Sequence, residues 1–314
     1  PDVCIAGFNE NDWGKELFEK MREQKFCKFV YIADDDTWRW ERYGRHVAKY
    51  FDWIVTYDSR AVKKYHSIGI TNVIHHQPGT DIKVYKKLQD RKKDIGVSFM
   101  GLWSKSRGEA VKALRDAGIE VFVRGTGWPE GRITQDELIS AINRSKISLA
   151  LNTTSFYFGW RMLARLFLRR TDLGEKGLMR LDILNFFDNL RMWFMKRNLW
   201  VKARNFEVPA CGTMEMTQDA DDLRDYFKLG KEIVVYKDNK DLVEKVKYYL
   251  THPVEREAIA LRGYRRTIRD HSQKQRFIDI FKMIDVPLEE ENTYSQPFLF
   301  PAPSMRLSGA DYFL

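Results

Sequence analysis

Two glutamates, Glu207 and Glu215, stand seven residues apart in Ala203-Arg204-Asn205-Phe206-Glu207-Val208-Pro209-Ala210-Cys211-Gly212-Thr213-Met214-Glu215. The Pro-Ala-Cys-Gly break between them reads as a tight turn. A helix starting near that turn would aim its free N–H groups and positive dipole end at a bound anion. Glu207 would then sit before the turn and Glu215 one helical turn beyond it. Carboxylates for hydroxyls and backbone amides for an anion suit a ligand that carries both hydroxyls and phosphate. A strand-loop-helix junction with two solvated glutamates fits the same residues.

Other stretches carry related chemistry. Gly101–Gly108 follows an apolar run, precedes a helical pattern and holds Lys105 and Arg107, so it reads as a loop that meets a diphosphate with a cationic clamp. Gly125-Thr126-Gly127 is a second loop where a ligand could approach the backbone. Asp34-Asp35-Asp36 ends an apolar run. Adjacent carboxylates repel one another unless cations or hydroxyls gather there, or unless one caps a helix. Asp58 ends another apolar run, and His75-His76 a third. Cys4, Cys27 and Cys211 are far apart, and no zinc or redox spacing, Ser-His-Asp arrangement or HExxH pattern is present. No metal is expected.

Strand-like runs at Val3–Phe8, Phe29–Ala33, Trp53–Tyr57 and Val73–His76 alternate with helical patterns at 13–24, 38–50 and 59–68. That alternation predicts βαβ units and a parallel sheet, with ligands at the carboxyl ends of the strands. A Lys-rich stretch, 83–94, reads as a linker. A second series follows, with strands at Ile95–Met100, Ile119–Val123 and Ile147–Leu151 and helices at 109–117 and 135–145. It breaks at Asn152, resumes near Phe206, and continues with a strand at 232–236 and helices over 240–250, 254–269 and 272–284. The expected domains are 1–82, 95–285 with an insertion at 153–200, and an extended tail over 286–314.

The chain has 314 residues and a net charge of +9. Residues 155–204 hold eleven Lys/Arg against four Asp/Glu, most of that excess, and a concentrated basic field implies an anionic partner. Phe156, Trp160, Leu163 and Phe167 form one apolar stripe, and Phe187, Leu190 and Phe194 another, with Arg161, Arg165, Arg169, Arg170, Arg191, Lys196 and Arg197 close by. Such stripes pack on a core or lie in a lipid head-group layer; the second case makes 156–197 a contact for an anionic membrane surface. The chain opens without Met and no leader is read. A cytoplasmic protein, peripheral at the inner face of a membrane, is expected.

The segment Lys202–Gly212 resembles the C-terminal domain of the spore-protein CgeB-like glycosyltransferases, a branch of the GT-B superfamily near glycosyltransferase family 4. Gly230–Tyr236, His252–Glu257, Gly263–Arg266, Ile54–Asp58 and Val97–Gly101 are similar to the same family, and Pro78-Gly79-Thr80-Asp81 is similar to its hinge entry. The resemblance implies an α/β fold of two Rossmann-like domains facing a cleft, the N-terminal one abbreviated because its usual first strand and glycine loop are missing. It implies a metal-independent, hexosyltransferase-like enzyme that moves a sugar from a nucleoside-diphosphate sugar (UDP or GDP), with no other cofactor. The acceptor would be a hydroxyl on a glycan, lipid-linked sugar or protein, with anomeric retention. Glu215 would then bind the ribose and Glu207 lie by the donor sugar. Lys105, Arg107, Arg204, Gly101, Gly125, Gly127 and Gly212 would line the nucleotide site, and Asp35, Asp36 and Asp58 face the acceptor. Two other readings are a catalytically silent binding protein on a GT-B scaffold and a nucleic-acid-binding protein using 155–204.

Overall fold

The computed structural model describes residues 2–7, 15–24, 27–77, 79–89, 91–152, 159–171, 178–195 and 198–288. Pro78, Phe156, Lys196, Arg197 and the tail beyond 288 lie outside the described residues, as do the side chains of Arg161, Arg169 and Arg170.

The first unit is a parallel four-stranded sheet in sequence order. It comprises Val3–Ala6 (β1), Lys15–Gln24 (α1), Lys28–Ala33 (β2) and a helical run that starts at Asp36–Arg39 (α2). That run passes through a π-helical stretch, Trp40–Gly44, to Arg45–Val47 (α3), and is followed by Trp53–Thr56 (β3), Ser59–Ser67 (α4) and Val73–His75 (β4). β2 buries both faces, as a strand of a helix-covered parallel sheet must. Phe29 and Tyr31 join Phe18, Phe51, Ile54 and Tyr65 on one side, and Val30 meets Val55 and Ile74 on the other. Pairing of Ala33 with Thr56, and of Thr56 with His75, brings the carboxyl ends of β2, β3 and β4 level.

After an irregular linker comes the second unit: Ile95–Met100 (β5), Lys105–Asp116 (α5), Val121–Arg124 (β6), Gln135–Arg144 (α6) and Ser145–Ala150 (β7). Then come Trp160–Phe167 (α7), Leu168–Thr171 (β8), Leu178–Leu181 (β9), Phe186–Met195 (α8), Arg204–Ala210 (α9) and Met214–Gln218 (β10). Leu223–Tyr226 (α10), Val234–Tyr236 (β11), Asn239–Thr251 (α11), Pro253–Asp270 (α12) and Gln273–Met283 (α13) complete it. The sheet order is β11-β10-β7-β5-β6, all parallel, while β8 and β9 form a separate antiparallel hairpin. Side-chain caps fix several helix starts: Ser104 for α5, the Thr134–Glu137 capping box for α6, Asp238 for α11 and Ser272 for α13.

Three features differ from the sequence expectation. Helix α5 begins at Lys105, four residues before the expected start, because Ser104 caps it. The segment around Glu207 is helix α9, and the residues after the turn, expected as helix, are strand β10. Met214–Gln218 is buried as the inner neighbour of β7 and β11, and burial between two strands outweighs the local pattern. Finally, α13 returns to the first unit, where Ile280 and Ile284 cover Val30, Val55 and Ile74. The apolar period of that helix cannot say which sheet it covers.

Candidate functional site

Strand order in the second sheet reverses between β5 and β7, since β6 lies on one side of β5 and β7 on the other. Open α/β sheets bind ligands in the crevice beyond the carboxyl ends at such a point. Arg107 occupies that place. Its Nη1 donates to Leu102 O (2.8 Å), and its Nε and Nη2 donate to Leu151 O (3.2 and 3.1 Å). The guanidinium ties the exit of β5 to the exit of β7, a fixed positive charge rather than a free clamp. Lys105, in the first turn of α5, is exposed.

The glycine loops are built against each other. Gly101 N donates to Arg124 O (3.0 Å), Trp103 N to Thr126 O (2.8 Å), and Trp128 Nε1 to Gly101 O (3.0 Å). Gly125 has φ +146°, and a Cβ there would lie 2.0 Å from Gly101 O. The approach that Gly125 and Gly127 permit is therefore loop to loop, not the expected loop to ligand. A Cβ on Gly127 would meet Trp103, whose indole also lies over Gly108. Trp103 is 47% exposed at the rim of the crevice, and its ring face is an aromatic platform.

The start of α9 adds two more cations. Burial and the Arg107 charge push the Lys202 ammonium down to about 7, while Asp35, from the first unit, acts in the opposite direction. Lys202 Nζ lies 4.6 Å from the Trp200 ring centre. Burial and Arg204 together lower Arg107. Arg204 Nη1 lies 2.9 Å from Glu207 Oε2. Glu207 also acts on Tyr85, which a hydrogen bond to that carboxylate and burial hold up at about 12. Arg204 acts on Arg107 and Arg107 on Lys202, and these cations beside half-buried carboxylates form a charge set that an anion would complete.

Glu215 is elsewhere. It is 0% exposed on β10, beside Ser148 of β7, and accepts from Asn205 Nδ2 at 2.5 Å. Asn205 Nδ2 also donates to Thr217 Oγ1 (3.1 Å), and Asn152 Nδ2 donates to Asn205 Oδ1 (2.9 Å) and Thr217 Oγ1 (3.0 Å). Burial pushes the Glu215 carboxyl well above the ordinary carboxylate range. The expected ribose contact by Glu215 is thus corrected: its carboxyl is an interior group that helps lock α9 to β10 and β7. Gly212 is corrected too. It turns α9 into β10 at the amino edge of the sheet, with φ +70° and Lys87 packed against it, away from the crevice.

On the facing unit, Asp34 is exposed and Asp35 half-buried at the end of β2. Asp35 Oδ2 is 3.6 Å from Arg39 Nη2. Burial and Asp35 raise the Asp34 carboxyl above its usual range. Asp36 and Asp58 depart from the expectation that they face an acceptor. Asp36 is buried, accepts from Tyr65 Oη at 3.0 Å, and is pushed up to about 7 by burial. Asp58 caps α4 and is held by Arg60 Nε at 2.7 Å. Both carboxylates are engaged within the first unit, Asp36 by Tyr65 and Asp58 by the start of α4 and Arg60. The units also join here: Ser59 Oγ donates to Asp222 Oδ1 (2.7 Å), His75 Nε2 lies 3.4 Å from Asp222 Oδ2, and Arg60 Nη1 donates to Asp221 (2.9 Å). His76 faces Asp279 of α13 at 3.8 Å, and burial lowers it to about 4.

Lys202 and Trp103 are site residues outside the sequence expectation, and Asn152 and Asn205 are interior supports that it also did not single out. Lys202-Ala203-Arg204 just before a helix was the available signal for the first. Among the described residues no group of three or more His, Cys, Asp or Glu could hold a metal.

A family model described as glycosyl transferase-like matches residues 175–282, the stretch that contains Lys202, Arg204 and Glu207. Comparison with curated proteins finds no match. Among solved structures, sucrose-phosphate synthase from Thermosynechococcus elongatus superposes with a TM-score of 0.58 at 10% identity, over 90% of this chain and 73% of that one. Anabaena HepE in complex with UDP-glucose gives 0.56 at 10% identity, over 90% and 78%. TarM gives 0.55 at 9% identity, over 90% of this chain and 54% of its own. The fold, two Rossmann-like α/β units with parallel sheets, matches that of GT-B glycosyltransferase structures.

Proposed function

We propose that the chain is a glycosyltransferase that takes its sugar from a nucleoside-diphosphate donor, UDP-linked as in the HepE complex. The observation that carries this reading is the cluster of Lys202, Arg204 and Arg107 at the switch point of the second sheet. A diphosphate placed there would restore the full charge of Lys202 and gain from all three cations. As the bond from the anomeric carbon to the diphosphate breaks and a bond to the acceptor oxygen forms, charge grows on the leaving phosphate. The same cations stabilise it more in the transition state than in the ground state. Trp103 offers a stacking face for the base. Glu207, not Glu215, takes the donor's hydroxyls, because its carboxylate is reachable beside Arg204. Asp34 and Asp35 are the acceptor-side carboxylates. Retention at the anomeric carbon goes with the family 4 resemblance.

Incubation of the full chain with UDP- and GDP-sugars should release the nucleoside diphosphate, slowly to water and faster with a fitting acceptor. A chain that binds neither UDP nor GDP would sink the reading. Binding without release across donors and acceptors would favour a silent scaffold, which the structural use of Asp36 and Asp58 also supports.

A further inference from the structure

The insertion has a small core of its own, in which Leu166 and Trp193 are buried against Phe186 and Leu190. Asp182 N donates to Phe167 O (2.7 Å) and Asn189 Nδ2 to Leu166 O (3.1 Å), tying α7, the end of β9 and α8 together. Outside that core the apolar side chains turn to solvent. Trp160 is 87% exposed, Phe187 74% and Leu184 100%, and Leu163, Phe167 and Leu181 are also exposed. Trp160, Leu163 and Phe167 share one face of α7, while the Phe167, Phe186 and Phe187 rings follow one another at 5.2 and 5.5 Å. Apolar surface this continuous marks an interaction site.

Charge decides the partner. Residues 155–200, outside the donor site, carry nine Lys/Arg and four Asp/Glu. Two of those four acids are engaged within the protein: Asp188 pairs with Arg45 of the first unit at 3.2 Å, and Asp182 accepts from Asn185 and Asn189. Arg180 is exposed, as is Arg191, whose Nη1 lies 3.9 Å from Glu41 Oε2. Aromatic and aliphatic side chains beside a net cationic field match a layer that is anionic outside and apolar just beneath. Through α8 the insertion rests on α2, so whatever α7 and residues 181–187 touch lies beside the first unit. We propose that this face docks the protein on an anionic lipid bilayer, with Trp160, Leu184 and Phe187 seated at the head-group boundary. The inference stands apart from the donor site and uses none of its residues.

The test is flotation of the full chain with vesicles of phosphatidylcholine alone and of phosphatidylcholine mixed with phosphatidylglycerol. The parent should float with the mixed vesicles, less with the neutral ones. The double variant L184D/F187D should bind them at least about tenfold more weakly, as expected for charges placed in an interfacial contact. Both substituted residues are exposed, so thermal unfolding and UDP affinity should match the parent. Milder L184S/F187S gives the same reading if the aspartates disturb folding. Equal flotation of parent and variants, or none by the parent, overturns the proposal. So does a parent dimer that the variants dissociate, a parent that floats only once residues 289–314 are removed, or salt-sensitive RNA binding without vesicle binding.

Discussion

Arg204 and Glu207 stand one helical turn apart on α9 with their charged atoms 2.9 Å from each other, and Glu215 shares none of that water access. Two glutamates seven residues apart therefore have different physical roles. Glu207 is a reachable carboxylate paired with Arg204, and Glu215 is an interior hydrogen-bond acceptor.

That division is testable by substitution. Glu215→Gln keeps an acceptor for Asn205 and removes the cost of a buried carboxyl, so UDP affinity should stay within about twofold of the parent. Glu207→Ala should weaken UDP binding about tenfold, roughly one charged hydrogen bond. Isothermal titration of both variants with UDP decides. The reverse ranking would return the ribose role to Glu215.

Lys202 makes donor affinity depend on pH. Its ammonium sits at about 7 in the free protein, and a bound diphosphate would raise it. A group raised on binding contributes fully below its free value and is lost as pH rises through its bound value. UDP affinity should therefore fall from about pH 7 upward, with proton uptake on binding near neutrality. Lys202→Met should bind more weakly and flatten that slope. Titration in two buffers of different ionisation heat reads the proton uptake directly.

Asp36 sets a pH window for stability. Burial raises it to about 7 from an ordinary 3.8, so its favourable contribution is complete below about 4 and lost as pH rises to 7. The span corresponds to about 4 kcal/mol at most, at roughly 1.4 kcal/mol per unit. Asp36→Asn should flatten the urea-unfolding profile between those limits. An unchanged slope would contradict the burial of this carboxyl.

Gly125 cannot carry a side chain where it stands, with φ +146° and Gly101 O in the way. Gly125→Ala should lower stability by about 1–3 kcal/mol and disturb the Trp103 loop. Thermal unfolding and UDP affinity should fall together. Loss of affinity without loss of stability would mean a direct ligand contact instead.

The alternation of apolar runs with helical patterns was enough to place both parallel sheets, because strands covered on both faces leave continuous Val, Ile and Phe stretches such as Phe29–Ala33 and Ile95–Met100. Phase errors arose where tertiary burial overrode local pattern. Met214–Gln218 carries Glu, Thr and Gln yet is strand, since β7 and β11 pair with it on either side. The cations at 105, 107 and 204 were visible as charges, but their geometry was not: Arg107 spends its donors on backbone carbonyls. Lys202 is notable only once folding brings it into the field of Arg107. The apolar stripes of 160–167 and 187–194 were legible as stripes, but which side faced water was not, because Leu166 and Trp193 took the core positions.

In the proposed function the donor's diphosphate rests on Lys202, Arg204 and Arg107. Isothermal titration of uridine and UDP against the parent and Arg204→Ala tests it most directly. UDP should bind the parent at least about tenfold more tightly than uridine, and Arg204→Ala should erase most of this gain. Equal binding of uridine and UDP, or a gain that survives Arg204→Ala in full, would contradict it.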